Sequence, residues 1–67
     1  MHVKYPHVTV RLIGQNGNVF NLIGITEAAM KRAHVPKEER DQFVDQLMNA
    51  EDYDHALRLI RETVNVL

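Results

Sequence analysis

The stretch VTVRLIGQNGNVFNLIG, residues 8–24, changes its pattern of apolar residues midway and decides the fold of the chain. Its first five residues alternate between apolar and polar, which is typical of a half-buried strand. The Asn-Gly pair at 16–17 favours a tight turn because both residue types tolerate positive φ. The sequence therefore predicts a β-hairpin with its tip at residues 14–18 and a short return strand that begins at residues 19–20.

The three glycines of this stretch raise the alternative of a phosphate-binding loop. Such a loop needs a Lys-Ser/Thr pair leading into a helix, or the spaced glycines of a dinucleotide fingerprint. Gly14, Gly17 and Gly24 have neither that spacing nor a lysine directly after them. The sequence therefore favours a hairpin turn over a phosphate site.

A helical pattern replaces the strand pattern after residue 20. Apolar residues recur at three- and four-residue steps, with Asn21 as the predicted N-cap. This first helix should end near His34, because Val35 precedes Pro36 and is thereby disfavoured in the α region. Pro36 then suits the first position of a second helix. The apolar stripe of that second helix comprises Phe43, Val44, Leu47 and Met48.

A third helix and a terminal strand complete the predicted elements. Asp52 or Asp54 is the candidate N-cap of the helix, and residues 64–67 alternate again and are rich in valine. A helical ending is the competing interpretation of those last residues. The apolar positions at core spacing in this third segment are Ala56, Leu57, Ile60 and Val64.

Together these elements predict one α+β domain that spans residues 1–67, without internal repeats or linkers. An N-terminal hairpin, three short α-helices and a short C-terminal strand would form a small antiparallel or mixed sheet of three strands, with the helices on one face. The expected core comprises Val8, Val10, Leu12, Phe20, Ile23, Met30, Phe43, Leu47, Leu57, Ile60 and Val64.

Composition limits the class of protein. With 67 residues and no cysteine, the chain has no disulfide or thiolate metal site to support its small core. Chains without cysteine fit a reducing compartment. The N-terminal MHVKYPHV lacks the apolar segment of a signal peptide, and no stretch reaches the roughly 18 apolar residues of a membrane span. We therefore expect a soluble cytoplasmic protein without a membrane partner.

Charge is distributed unevenly, although the net charge is only −1. Residues 1–34 carry four basic groups and one acidic group, a net charge of +3, whereas residues 35–67 carry four basic and eight acidic groups, a net charge of −4. A solvated helix face is the ordinary explanation of such an acidic run, and a surface for a basic partner is the functional one. The candidate partner-binding residues are Glu38, Glu39, Asp41, Asp45, Glu51, Asp52 and Asp54.

The tetrapeptide DYDH, residues 52–55, combines two carboxylates with an imidazole. Such groups bind metals or perform acid–base catalysis when further ligands join them, but the other histidines show no ligand spacing. A helix N-terminus favours the same acidic residues. Serine and cysteine are absent altogether, which removes the commonest nucleophiles. We therefore predict no enzyme, no metal site and no cofactor, with a small acid–base or metal-dependent enzyme as an alternative.

Nucleic acid is the alternative partner to protein. Basic side chains could contact its phosphates, but the low net charge and the lack of a signature of exposed stacking aromatics favour a protein partner. The candidate basic contacts are Arg11, Lys31, Arg32, Arg58 and Arg61.

The segments VTVRLIGQNGNVFNLIG, AHVP, EDYDHAL and VNV resemble a group of small bacterial and phage-associated proteins with the pattern VxVxLxGxxGNxFxIxG, DYDHxL and VxV. The resemblance covers residues 8–66 and implies one intact domain. It implies no particular function, because no activity is assigned to that group. His34 stands where a glycine commonly ends the first helix in the group. Small phage and mobile-element proteins frequently bind and block a host protein such as a defence complex, which is an argument by association.

From these observations we expect a non-catalytic protein–protein interaction module that acts as a stoichiometric binder or inhibitor of another protein. Homodimerisation is a second expectation. A small open sheet leaves edge strands with unpaired backbone groups, and these offer a surface to a second copy.

Overall fold

The chain forms three helices between two strands. The computed structural model describes residues 3–14 and 17–67. The elements in order are β1 (Tyr5–Val10), α1 (Val19–Arg32), α2 (Lys37–Met48), α3 (Tyr53–Thr63) and β2 (Val64–Val66). The predicted α+β class, the three helices and the C-terminal strand are therefore confirmed. None of the helices in the described part is long and apolar enough to cross a lipid bilayer.

The two strands pair in parallel, as a two-stranded sheet within the described residues. Val10 of β1 lies opposite Val66 of β2, and the Val10 carbonyl accepts the amide of Leu67 at 2.9 Å. The sequence predicted an antiparallel or mixed sheet of three strands. The two described strands instead pair in parallel, and the residues of the predicted return strand are helical. Three helices carry the chain back to the start of β1 before β2 begins, and strands joined by such a crossover run in the same direction.

The predicted hairpin is wrong because its return strand is helical. Val19 and Phe20 are the first two residues of α1, and the N-cap is Asn18 rather than Asn21. The Asn18 side-chain oxygen accepts the Phe20 amide at 2.8 Å, which satisfies one of the amides that have no partner within the helix. Asparagine favours turns and caps alike, since its side chain binds nearby backbone in both. The residues of our sequence interpretation that lie outside the described part are His2, Gln15 and Asn16.

The first helix ends where the sequence predicts, in a Schellman motif. The His34 amide donates to the Lys31 carbonyl and the Val35 amide donates to the Met30 carbonyl, both at 3.0 Å. His34 has a φ of 65°, the left-handed conformation that glycine adopts most easily at this position. Val35 and Met30 are both buried, as in the apolar contact that often accompanies the motif.

The other two helices begin within one residue of the prediction. Pro36 is the N-cap residue of α2 rather than its first helical residue. Asp52 is the N-cap of α3, and its carboxylate accepts the His55 amide at 2.8 Å. Asp54, the other candidate cap, lies in the first turn of α3.

The core lies between the helices and one face of the sheet. Of the predicted core, Leu12 and Leu57 are half-buried, and Phe20 is exposed, because it lies at the free end of a helix that was predicted to begin later. The remaining predicted core residues are buried, namely Val8, Val10, Ile23, Met30, Phe43, Leu47, Ile60 and Val64. Buried residues that were absent from the expected core are Leu22, Thr26, Ala29, Val35, Ala56 and Thr63, although Ala56 had been placed at core spacing in the third helix.

Polar side chains link α2 to its neighbours. Arg40 donates to the Glu27 carboxylate of α1 at 2.5 Å and to the Val35 carbonyl at 3.1 Å. Glu39 accepts the Tyr5 hydroxyl of β1. Burial, followed by the hydrogen bond and the negative charge of Glu39, raises the pKa of Tyr5 to about 12. These contacts fix the N-terminal part of α2 against both α1 and the sheet.

Candidate functional site

An apolar cleft opens where the first turns of α1 and α3 meet the last turn of α2. Its volume is about 230 Å³, slightly below the usual range for small-molecule pockets. We call it the acidic cleft, because Asp52 is the charged residue of its lining. The residues that line it are Val19, Phe20, Ile23, Leu47, Met48, Ala50, Asp52, Tyr53 and Ala56.

Three large apolar side chains of the acidic cleft face solvent. Phe20, Met48 and Tyr53 are 65%, 58% and 45% exposed. The floor beneath them consists of buried core residues, Ile23, Leu47 and Ala56. A cluster of exposed apolar side chains above buried core residues is typical of a surface that binds a partner.

Helix caps on both sides position the two aromatic side chains. The Asn18 cap starts α1 so that Phe20 is its second residue, and the Asp52 cap starts α3 so that Tyr53 is its first residue. The loop before α1 lies against Tyr53, since a Cβ added at Gly17 would be 3.4 Å from the Tyr53 hydroxyl oxygen. The structure therefore brings together the two stretches that the sequence singled out, GNVF and DYDH.

The acidic residues at the cleft lack cationic partners. Asp52 lines the cleft and has Glu51 and Asp54 next to it in sequence, whereas Asp45 lines a separate depression that also contains Lys37 and Arg40. These four residues are exposed. Among the described residues, no lysine, arginine or histidine forms an ion pair with any of them. The charges of Glu51, Asp52 and Asp54 give this end of the molecule a negative potential.

The remaining acidic candidates lie elsewhere on α2 and serve local structure. Glu38 and Glu39 occupy its first turn, where carboxylates favour the positive end of the helix dipole. Asp41 accepts the ammonium group of Lys37 at 2.8 Å. The structure thus places Asp52 in the cleft with Glu51 and Asp54 next to it, and it places the other four predicted acidic residues along α2, namely Glu38, Glu39, Asp41 and Asp45.

The five basic candidates do not form one surface. Lys31 and Arg32 lie in the last turn of α1, where positive charge favours the helix dipole. Arg58 and Arg61 are exposed on α3, and Arg11 is exposed just after β1. A phosphate-binding surface gathers such groups on one face, and the structure separates the α1 pair from the rest.

Two side chains of DYDH, those of Asp52 and His55, bind backbone amides. Asp52 accepts the His55 amide, and the His55 Nδ1 atom accepts the Glu51 amide at 3.1 Å. This reciprocal arrangement resembles a capping box, in which the cap and a residue three positions later each bind the other's backbone region. Within residues 3–14 and 17–67, no group of three or more histidine, aspartate or glutamate side chains could hold a metal ion. The hydrogen bonds of Asp52 and His55 stabilise the start of α3.

Sequence reasoning did not identify Phe20 and Met48 as surface residues. Phe20 was assigned to the return strand and the core, and Met48 to the apolar stripe of the second helix. Both lie beside a helix terminus in the structure. The cap at Asn18 is the signal that could have corrected Phe20, because a helix that begins at Val19 places Phe20 one turn beyond the buried Ile23. Nothing local in the sequence distinguishes Met48 from Leu47.

Comparison with known proteins adds no identification. No protein-family model matches this chain, and neither the curated proteins nor the solved structures contain a match to it.

Proposed function

We propose that this protein is a non-catalytic, cytoplasmic protein-binding module, a stoichiometric binder or inhibitor that captures a segment of another protein in the acidic cleft. The observation that carries the proposal is the exposure of Phe20, Met48 and Tyr53 around one depression. Aromatic residues dominate the binding energy of protein interfaces, and they do so where they enter well-packed depressions.

The energetic argument rests on what the chain leaves unburied. Apolar surface gains about 25 cal/mol for each Å² removed from water, and these three side chains forgo that gain in the free protein. A domain of 67 residues has little stability to spare. Apolar side chains that remain exposed beside an already folded core are therefore best explained by a partner that covers them.

Charge specifies the kind of segment that would fit. Asp52 lines the cleft, and its exposed neighbours in sequence Glu51 and Asp54 are also acidic. Complementary charge on the partner would therefore steer encounter and favour the correct register. The partner segment should therefore carry apolar side chains flanked by lysine or arginine. The apolar side chains of such a segment would enter the cleft, and its lysine or arginine side chains would pair with the carboxylates at the rim.

The enzyme and nucleic-acid alternatives receive less support. Asp52 and His55 are held by backbone amides, whereas an acid–base pair would need to face a substrate. Lys31 and Arg32 lie on α1, on a different helix from Arg58 and Arg61, whereas phosphate binding would favour all the basic candidates on one face.

Affinity purification from the host cell with matched variants tests the proposal. Phe20→Asp places a charge in the cleft, and an acidic residue in the first turn of α1 is compatible with the helix dipole. Ile13→Asp makes the same change at an exposed apolar residue outside the cleft. We expect a partner to be retained by the parent chain and by Ile13→Asp and lost with Phe20→Asp.

The recovered partner should then bind the purified chain with 1:1 stoichiometry, and Phe20→Asp should weaken that binding by at least about tenfold. Retention of the same partner by Phe20→Asp would show that the cleft is not the binding site. Recovery that depends on nucleic acid and disappears after nuclease treatment would favour the nucleic-acid alternative instead.

A further inference from the structure

A second exposed apolar surface lies beside the sheet. It is an open depression of about 540 Å³. Ile13 and Leu67, at its rim, are 74% and 65% exposed. We call it the basic surface, and the residues that line it are Val3, Leu12, Ile13, Leu57, Arg61, Val64, Asn65, Val66 and Leu67.

The charge of the basic surface is opposite to that of the acidic cleft. Arg61 is the charged side chain among the residues that line it. Arg58 precedes Arg61 by three residues on α3, and Arg11 is the neighbour of Leu12. In the described part of the chain, none of these three arginines forms an ion pair. The basic surface therefore has the combination of apolar and basic groups that the acidic cleft is suited to bind.

One molecule cannot satisfy both surfaces by itself. Tyr53 of the cleft and Arg61 of the basic surface lie on the same helix, eight residues apart. Because an α-helix rises about 1.5 Å per residue, the two residues lie about 12 Å apart along the helix axis. The complement of each surface must therefore come from another molecule.

We propose, on the basis of the binding role proposed for the acidic cleft, that a second copy of this chain competes with the other protein for it. The rim side chains of the copy's basic surface dock in the cleft, so that copies associate head to tail. Ile13 and Leu67 of one copy cover Phe20, Met48 and Tyr53 of the next. Arginines on the docked copy face the unpaired carboxylates at the cleft. Because two different surfaces meet, the contact is heterologous and leaves a free cleft at one end and a free basic surface at the other. Association continues beyond a dimer unless a ring closes.

A pair of complementary variants tests this arrangement. Phe20→Asp blocks the cleft and leaves the basic surface intact, and Ile13→Asp does the reverse. Both positions are exposed, so neither substitution removes core packing, and circular dichroism of each variant verifies the fold. The molar mass of each sample is measured by sedimentation equilibrium from micromolar to millimolar concentration.

We expect the mass of the parent chain to rise with concentration beyond that of a dimer. Each variant alone should have the molar mass of a monomer where the parent chain associates, because its dissociation constant is raised by at least about tenfold. An equimolar mixture should form a 1:1 dimer through the one remaining intact pair of surfaces, and no larger species. Added salt should weaken the parent's association several-fold, since opposite charges meet at the contact.

Two results would overturn the proposal. A parent chain that is monomeric at millimolar concentration does not self-associate, and the cleft then serves another protein alone. A parent chain that stops at a dimer, with no heterodimer from the mixed variants, pairs through like surfaces about a two-fold axis instead.

Discussion

Two connections of equal length, residues 33–36 between α1 and α2 and residues 49–52 between α2 and α3, are built in opposite ways. In the first, Val35 is buried and its carbonyl accepts Arg40, so the end is closed. In the second, Ala50 is half-buried and Glu51 is exposed, and the acidic cleft is open beside Ala50. The chain thus places its stabilising contacts at one end and its exposed apolar surface at the other.

The difference separates stability from binding within one small core. Contacts at the closed end, which comprises the Schellman motif and the Arg40 bonds, should determine the free energy of unfolding. Side chains at the open end should contribute little to that free energy and much to association. The same substitution made at each end tests this division through the change in the free energy of unfolding. The largest difference is expected for a residue type that occurs at both ends.

Methionine occurs at both ends. Met30 is fully buried at the closed end, whereas Met48 is exposed at the cleft. Met30→Ala should lower the free energy of unfolding by about 2 to 4 kcal/mol, through lost apolar burial and the cavity left behind. Met48→Ala should change it by less than about 0.5 kcal/mol. Urea unfolding followed by circular dichroism measures both.

A control covers the case in which Met30→Ala does not fold. Met30→Leu conserves volume and should lower stability by less than about 1.5 kcal/mol. Equal losses from Met30→Ala and Met48→Ala would show that the open end is part of the stabilising core.

Arginine and lysine form the two ion pairs among the described residues, and they differ in burial. The side chains of Arg40 and Glu27 are 17% and 34% exposed, against 77% and 63% for Lys37 and Asp41. Arg40→Gln should lower the free energy of unfolding by about 1 to 2 kcal/mol, because it breaks the link from α2 to α1 and to the Val35 carbonyl. Lys37→Gln should change it by less than about 0.5 kcal/mol, as for other exposed pairs. Thermal melts of both variants in the same buffer make the comparison, and a larger loss for Lys37→Gln would contradict it.

Much of this architecture follows from local sequence. Pro36 and Asp52 predict where α2 and α3 begin, and the alternating residues 64–67 predict β2. The interpretation fails at residues 18–21, because an asparagine suits a hairpin turn and a helix cap equally well. The direction of strand pairing was also missed, because it depends on contacts between distant parts of the chain.

The candidate site was predicted only in its charges. The carboxylates of Glu51, Asp52 and Asp54 are visible in the sequence as part of an acidic run. Phe20 and Met48 are not visible as surface residues, since a helical apolar pattern does not show where the neighbouring helix ends. Exposure of those side chains is a property of the packing, and it appears only in the assembled structure.

The cap at the open end gives the next prediction. Asp52→Ala should lower the free energy of unfolding by about 1 kcal/mol, because the His55 amide loses its acceptor at the start of α3. Asp54→Ala removes the same charge two residues later, in the first turn of α3, where no capping bond is made. It should lower the free energy of unfolding by about half as much or less. Chemical denaturation of the two variants separates the hydrogen bond from the charge. Equal effects would show that the helix dipole alone accounts for both residues.

The smallest expected effect is a gain in stability at the closed end. His34 adopts a φ of 65° in the Schellman motif, and a side chain in that conformation is less favourable than glycine. His34→Gly should raise the free energy of unfolding by about 0.5 to 1 kcal/mol, since the relief of strain exceeds the added freedom of the unfolded chain. The matched change at the open end is Ala50→Gly, two residues after α2, where no positive φ is present. There glycine brings only its entropy, so stability should fall by a few tenths of a kcal/mol up to about 1 kcal/mol. Differential scanning calorimetry should therefore show the two glycine variants melting on opposite sides of the parent chain, and a lower melting temperature for His34→Gly would mean that the His34 side chain stabilises the connection between α1 and α2.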